Sequence, residues 1–432
     1  MEITQDLSTQ SKWNLPTLLA FRFTFVFFTF NIIPDLFYYL SSFSGQDNLF
    51  DFYSEWIDQL CVWTGKNILA IKYDIRIGPN GSGDTTADYI FQFIAIIISI
   101  FFTVLWTLIE HKKDNYQKLL VYFRTFIRYY ITLTMFSYGF SKAFTLQFSE
   151  LSNFDLIQTF GEQSPMGLMW NFMEYSDTYT RFSGYAEIIA GALLLFRKTT
   201  ILGAIMTIGV MFNVFMMNMS YDIPVKLYSG LLTLMGIFLL VPDFKRLINF
   251  FILNNTVNPK RLPSYSNKNK HRKALAITKT LFIIFILYFN ISDGLEGQEE
   301  WGKKAPKPAL YGIYEVEEFV KNNDTLPPLA NDSIRWKRLV IDKWYSGIQT
   351  MDEKITGFKE ETDTITKTIS LTSYGDSTDI KKFSFKQKDS LFYFETIHHG
   401  DTLIIAAKKK LREDFLLINR GFHWINEFPY NR

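Results

Sequence analysis

GPNGSGDTTADYIFQFIAIIISIFF (residues 78–102) admits two readings, and they lead to different folds. Its first nine residues nearly match the phosphate-binding loop G-x-x-x-x-G-K-[ST], with Asp84 where the lysine would stand. The continuation decides between them. A phosphate loop opens an amphipathic helix, whereas residues 87–102 are almost entirely apolar and read as the start of a membrane span. Asp84 would also repel the phosphates that the lysine holds. Gly78, Pro79, Asn80, Gly81 and Gly83 read instead as turn chemistry closing a short strand, LAIKYDIRI (69–77). Asp84, Thr85 or Thr86 then caps the span. The match is a coincidence, and no nucleotide is expected.

Outward from this stretch the 432 residues segregate into two unlike parts. Residues 15–290 are a series of long apolar runs, and residues 291–432 are polar, rich in Lys, Asp and Thr. That contrast predicts an α-helical membrane bundle with an appended soluble domain. Seven segments approach the length a bilayer needs: about 15–33, 88–109, 117–140, 182–196, 200–218, 225–241 and 274–292. The first, interrupted by Arg22 and lacking a small-residue cleavage site, reads as an uncleaved span. The connections after the second, fourth and sixth segments are basic ("EHKKDNYQK", "RKTT", "NPKRLPSYSNKNKHRK"), and Lys12 joins them. The opposite connections are acidic or balanced, with Asp35, Asp47, Asp51, Glu55 and Asp58 after the first span. This predicts a bacterial inner-membrane protein with its N-terminus in the cytoplasm and its C-terminal domain in the periplasm. "DFKRLINFFILNN" (243–255) reads as a helix lying along the cytoplasmic surface.

The predicted organisation is a two-span region (1–116, with an outer loop 34–87), a four-helix core (117–241), a basic segment with the seventh span (242–292), a linker (293–308) and an all-β domain (309–432). In that domain, runs rich in β-branched and aromatic residues, from "LYGIYEVEEFV" to "FLLINRGFHWINEF", suggest roughly eight strands in an antiparallel barrel or sandwich. Its opening residues Gly312, Ile313 and Tyr314 resemble those of lipocalin-like barrels.

Few residues point to chemistry. The single cysteine, Cys61, excludes a two-cysteine relay. The five histidines lie outside the spans, which gives no support to a haem held in the bundle, and no HExxH or paired Cys–His spacing occurs. No metal site is expected; His398 and His399, adjacent on a strand, would point to opposite faces. Glu187 is the sharpest signal, a carboxylate about 8 Å inside the fourth span, flanked by Gly184 and Gly191. Lys142 and Lys226 are its candidate partners, and with Tyr138, Asn213, Asn218 and Asp222 they would form an outward-facing polar cluster. The Glu187–Lys142 pair would serve equally as a helix-to-helix clamp without chemistry. Arg22, Arg124 and Arg128, in the inner halves of their spans, would snorkel to inner-leaflet headgroups.

Residues of about 124–241 resemble the DoxX/DoxD-like family of small membrane proteins. The matching stretches are "RYYITLTMFSYGFSKAF" with its Gly139-to-Lys142 ending, "FSGYAEIIAGALLLF" with Glu187 and Gly191, and the basic turn "RKTT" before two further apolar helices. The resemblance implies a four-helix membrane core and association with quinol-oxidising or thiol-redox complexes, with quinone as the cofactor class. The expected role is therefore an accessory or binding subunit, in contact with membrane lipids and with an envelope partner through the β domain, and without nucleic acid. The alternatives are an enzyme or transporter for a lipid-like substrate, with the β domain as lid or carrier, and a structural receptor.

Overall fold

A computed structural model describes residues 12–46, 50–258, 268–376, 378–398 and 400–431. Asp47, His399 and the middle of the basic connector, residues 259–267, lie outside the described residues. The chain forms two compact units, Met1–Phe144 with Thr178–Gly294, and Thr145–Asp177 with Leu295–Arg432. The stretch between the third and fourth expected spans therefore groups with the β domain.

The first unit is a helical membrane bundle. Its helices are α1 (Leu15–Ser44), α2 (Asp51–Asn67), α3 (Thr86–Ile109), α4 (Gln117–Ala143), α7 (Asp177–Leu195), α8 (Thr200–Ser220), α9 (Lys226–Leu240), α10 (Phe244–Phe251) and α11 (Asn269–Glu300). Among the described residues, five stretches are long and apolar enough to cross a membrane: α1, α3, α8, α9 continued through α10, and α11. The other two expected spans, α4 and α7, are helices but carry more charge, with Lys118, Arg124, Arg128 and Lys142 on one and Asp177, Arg181 and Glu187 on the other. Both nevertheless contribute to the centre of the core: Ile127, Ile131 and Met135 of α4 and Ala190 and Leu194 of α7 are fully buried.

Two local expectations are corrected, and a third is narrowed to one residue. Helix α1 does not stop at Ile33 but runs through Pro34 to Ser44, where Gly45 closes it in the left-handed region (φ 66°). "LAIKYDIRI" forms no strand; Ala70 turns the chain (φ 53°), and no second strand pairs with it among the described residues of this unit. Thr85 is the cap of α3, in a capping box with Asp88.

The second unit is a closed antiparallel β-barrel. Its strands are β1 (Gly312–Lys321), β2 (Asp324–Thr325), β3 (Trp336–Ile341), β4 (Ser346–Thr350), β5 (Ile355–Asp363), β6 (Thr368–Ser373), β7 (Ile380–Lys388), β8 (Leu391–His398) and β9 (Asp401–Lys410). Each long strand pairs with the next, and β9 returns to pair with β1, so no edge is left open. That closure explains a miss: "FLLINRGFHWINEF" is not a strand, because no free edge remains, and its start forms α12 (Leu416–Asn419). The interior is filled by Tyr314, Phe319, Phe383, Phe394 and Ile369, all at most 1% exposed. The stretch expected as a linker, 293–308, is helical up to Glu300.

Two short helices from the inserted stretch, α5 (Asn153–Ile157) and α6 (Pro165–Tyr175), complete this unit. Asn153 is fully buried; its side chain donates to the Ile341 carbonyl (2.9 Å) and accepts from Arg412 (2.9 Å). Phe154 stacks on Tyr345 (4.4 Å) and fills the space left by Gly347. On α6, burial pushes the Glu174 carboxyl up to about 8, with Asp155 adding to the shift and Lys303 opposing it.

The folded chain thus holds a proton on Glu174 that the unfolded chain releases near 4.5. The contribution of Glu174 to stability is therefore fully present below that value and is lost as pH rises through the window up to about 8. Glu174→Gln should flatten this decline, measured as the change in melting temperature of the full chain between acidic and alkaline detergent buffers.

Candidate functional site

The polar residues of the bundle are best taken from the glycines upward. Helices α4 and α7 cross where Gly139 meets Gly184. A Cβ on Gly184 would lie 2.6 Å from the Gly139 carbonyl oxygen, so the two backbones touch. One turn along each helix, this approach brings Lys142 against Glu187. The ammonium lies 2.9 and 3.0 Å from the two carboxylate oxygens, and Glu187 is 1% exposed. The expected pair is thus present, dry and closed.

Tyr138 lies one turn before Lys142 on α4 and is 36% exposed. The Lys142 ammonium sits 5.4 Å from its ring centre, and the ring of Tyr228 on α9 lies 6.2 Å away. Tyr228 leads to a second acid. Its hydroxyl is 3.1 Å from that of Tyr130 and 3.3 Å from the hydroxyl of Thr134. The fully buried Tyr130 donates to Asp35 of α1. Asp35 makes no ion pair among the described residues. Tyr138 therefore lies beside the Lys142–Glu187 pair and, through Tyr228 and Tyr130, is linked to Asp35.

Asp35 escaped the sequence reading because the first span was taken to end at about residue 33, which left the acid in the outer connection. The available signal was the continuing apolar, aromatic run "LFYYL" behind it. A proline inside a membrane helix is tolerated where neighbours satisfy the freed carbonyl.

The remaining predicted residues divide. Lys226 does not join Glu187; it pairs with Asp84 (3.3 Å) and with the exposed Asp222 (3.6 Å). Asp84 also accepts from the backbone N–H of Lys226 (2.7 Å) and of Leu227 (2.9 Å), so it caps the N-terminus of α9. The residue that spoils the phosphate loop is itself the anion at a helix start. Asn218 donates to Ser229 (3.0 Å) and to the Val225 carbonyl (3.1 Å), and Asn213 faces outward, exposed and apart from the cluster.

The three arginines turn inward. Arg22, 1% exposed, donates to Thr107 (2.8 Å), Tyr116 (2.8 Å) and the carbonyl of Glu110, the residue capping α3. Arg124 donates to the Leu239 carbonyl (2.6 Å) and pairs with Asp243 (3.4 Å). Arg128 grips the Leu194 carbonyl through two nitrogens (2.8 and 2.6 Å), and Lys279 takes the next carbonyl, Leu195 (2.7 Å). These bonds occupy donors that snorkelling would offer to lipid headgroups. In the barrel, His398 lies 3.1 Å from Asp379, and no group of three metal-ligating side chains occurs among the described residues.

Comparison with known proteins adds one relative. The chain is 31% identical over 124 residues to the uncharacterized protein YwoB of Bacillus subtilis (strain 168), a match covering 29% of this chain and 79% of the relative. No protein-family model and no solved structure matches the chain.

If Lys142 and Glu187 hold the helices together, removing one partner strands the other in a dry site. Lys142→Met should cost about 3–5 kcal/mol of stability, and the Lys142→Met/Glu187→Leu double variant should recover most of it. Thermal unfolding in a mild detergent reads both.

Proposed function

From the premise that the chain belongs to the family of YwoB, a protein itself uncharacterized, we propose that it is a DoxX-like integral protein of a bacterial inner membrane, acting as a binding or accessory subunit. Its outward polar site, centred on Tyr138, would hold the polar head of a lipophilic ligand, with a quinone as the first choice. One observation carries this reading: the partly exposed Tyr138 packs beside Lys142 of the buried Lys142–Glu187 pair and beside Tyr228, whose hydroxyl meets that of Tyr130 on the carboxylate of Asp35. Such groups in membrane helices serve ligands or proton transfer more often than stability. Quinone carbonyls accept hydrogen bonds, which the Tyr138 hydroxyl and the Lys142 ammonium can donate.

In this reading the end of the bundle carrying Arg22, Arg124 and Arg128 faces the cytoplasm, with the basic connectors. Seven crossings, counting α4 and α7, put the N-terminus inside and the barrel in the periplasm. Membrane lipids are the surrounding partners, and the barrel is the surface for an envelope partner. The filled barrel interior gives no support to the alternative of a lipid carrier.

The test is purification of the full chain in mild detergent, followed by mass spectrometry of the co-purifying small molecules. A stoichiometric quinone or lipid, lost in both Asp35→Asn and Glu187→Gln, is the expected result. Full retention in both variants, or no bound molecule in the parent chain, would remove the site.

A further inference from the structure

Helix α2 is the part of the bundle that neither the spans nor the polar site explain. One face is buried: Ile57, Cys61, Thr64 and Gly65 turn toward Ile75 and toward Ile90 and Ile94 of α3. Gly65 makes the contact close, since a Cβ there would lie 2.8 Å from the Ile90 side chain. Ile90 and Ile94 stand about 6 and 12 Å along α3 from its first residue. The contact therefore seats α2 beside the first turns of a membrane-crossing helix. That is the depth of the bilayer boundary.

The opposite face of α2 carries Phe52, Trp56 and Trp63, which are 70%, 57% and 56% exposed. At about 100° per residue these three fall on one stripe, diametrically across from the buried one. Asp51, Glu55 and Asp58 lie on a third side, between the two. Between the stripe and the acidic side runs a shallow groove of about 440 Å³ lined by Asp58, Gln59, Val62, Trp63, Lys66 and Ile77. Exposed tyrosine and isoleucines of α3 (Tyr89, Ile96, Ile97) continue the apolar surface along the span.

We propose that α2 is an interfacial helix and that its Phe52–Trp56–Trp63 stripe is occupied by the headgroup–acyl boundary of the surrounding lipid. Tryptophan prefers this zone because its ring is apolar while its N–H needs a polar partner. The acidic side then faces water, and the stripe faces lipid lateral to the bundle. This arrangement is that of a helix lying in the membrane plane. The occupant is lipid because α2 is seated beside the first turns of a membrane-crossing helix and turns its aromatic stripe away from that helix, at the depth of the bilayer boundary. The inference does not depend on the ligand proposed at Tyr138.

Two single-cysteine variants of the full chain test it, Trp63→Cys and Glu55→Cys, each in a Cys61→Ala background. Each is labelled with an environment-sensitive fluorophore and placed in phosphatidylcholine nanodiscs. The label at position 63 should emit further to the blue than the label at 55. It should be quenched by lipid brominated near the headgroup and shielded from aqueous iodide, while position 55 is open to iodide. Equal iodide access at both positions would overturn the proposal. So would a label at 63 shielded from both iodide and brominated lipid, which would mean that protein covers the stripe. Tryptophan emission of the unlabelled parent chain, compared with Trp56→Phe/Trp63→Phe, checks the same point without the background change. Loss of an iodide-shielded fraction is expected, and loss of an iodide-accessible one would contradict it.

Discussion

Every helix end in an apolar medium leaves backbone groups unbonded, and the bundle is organised around closing them. At one end, carbonyls in the last turns of α3, α9 and α7 receive Arg22, Arg124 and Arg128, with Lys279 beside the last of these. At the N-terminal ends of α3 and α9, Asp88 with Thr85 and Asp84 receive the free N–H groups. Cations thus sit at helix C-termini and anions at N-termini, the arrangement that the helix dipole favours. A guanidinium suits the task because it stays charged and can donate to several acceptors at once.

This role explains why α4 is central yet polar. Arg124 and Arg128, one turn apart on α4, close two different helices, α9 and α7, so α4 positions both. Further along, Gly139 lets α7 approach to backbone contact, and Lys142 meets Glu187. Beyond the opposite flank of α4, Tyr130 reaches across to Asp35. The candidate site is thus a consequence of the same helix: its polar side chains either close a neighbour or gather around Tyr138. The hydropathy of α4 falls for that reason, and length with composition alone does not single it out as a span.

The sequence was legible wherever one residue pattern dominated. All seven apolar segments are helices, and alternating β-branched strands build the barrel. The Lys142–Glu187 contact could be read because small residues, an acid and a base fall at matching positions. What could not be read depended on contacts distant in the chain. Asp84 was understood as unfit for phosphate, but its true partner, the start of α9, is 142 positions away. The first span was ended at about residue 33, because whether a helix continues through Pro34 depends on what its neighbours supply. Lys226 and Asn213 share a depth with Glu187 in the sequence but belong to other faces, and depth says nothing of rotation about a helix axis. The arginines looked like lipid contacts because burial of a guanidinium needs carbonyls that only the packed bundle provides. The extra strand at residues 415–428 failed because closure of the barrel between β1 and β9 left it no edge.

The central claim is that the three arginines close helix ends inside the protein. Arg22→Met, Arg124→Met and Arg128→Met, each unfolded thermally in a lipid-free neutral detergent, test it most directly. The account predicts that each loses about 1–3 kcal/mol relative to the parent chain, since carbonyls are left unbonded in dry surroundings. It predicts the same loss when anionic lipid is added back. Variants as stable as the parent in detergent, and weaker only in anionic bilayers, would show that these side chains serve the lipid and would contradict the account.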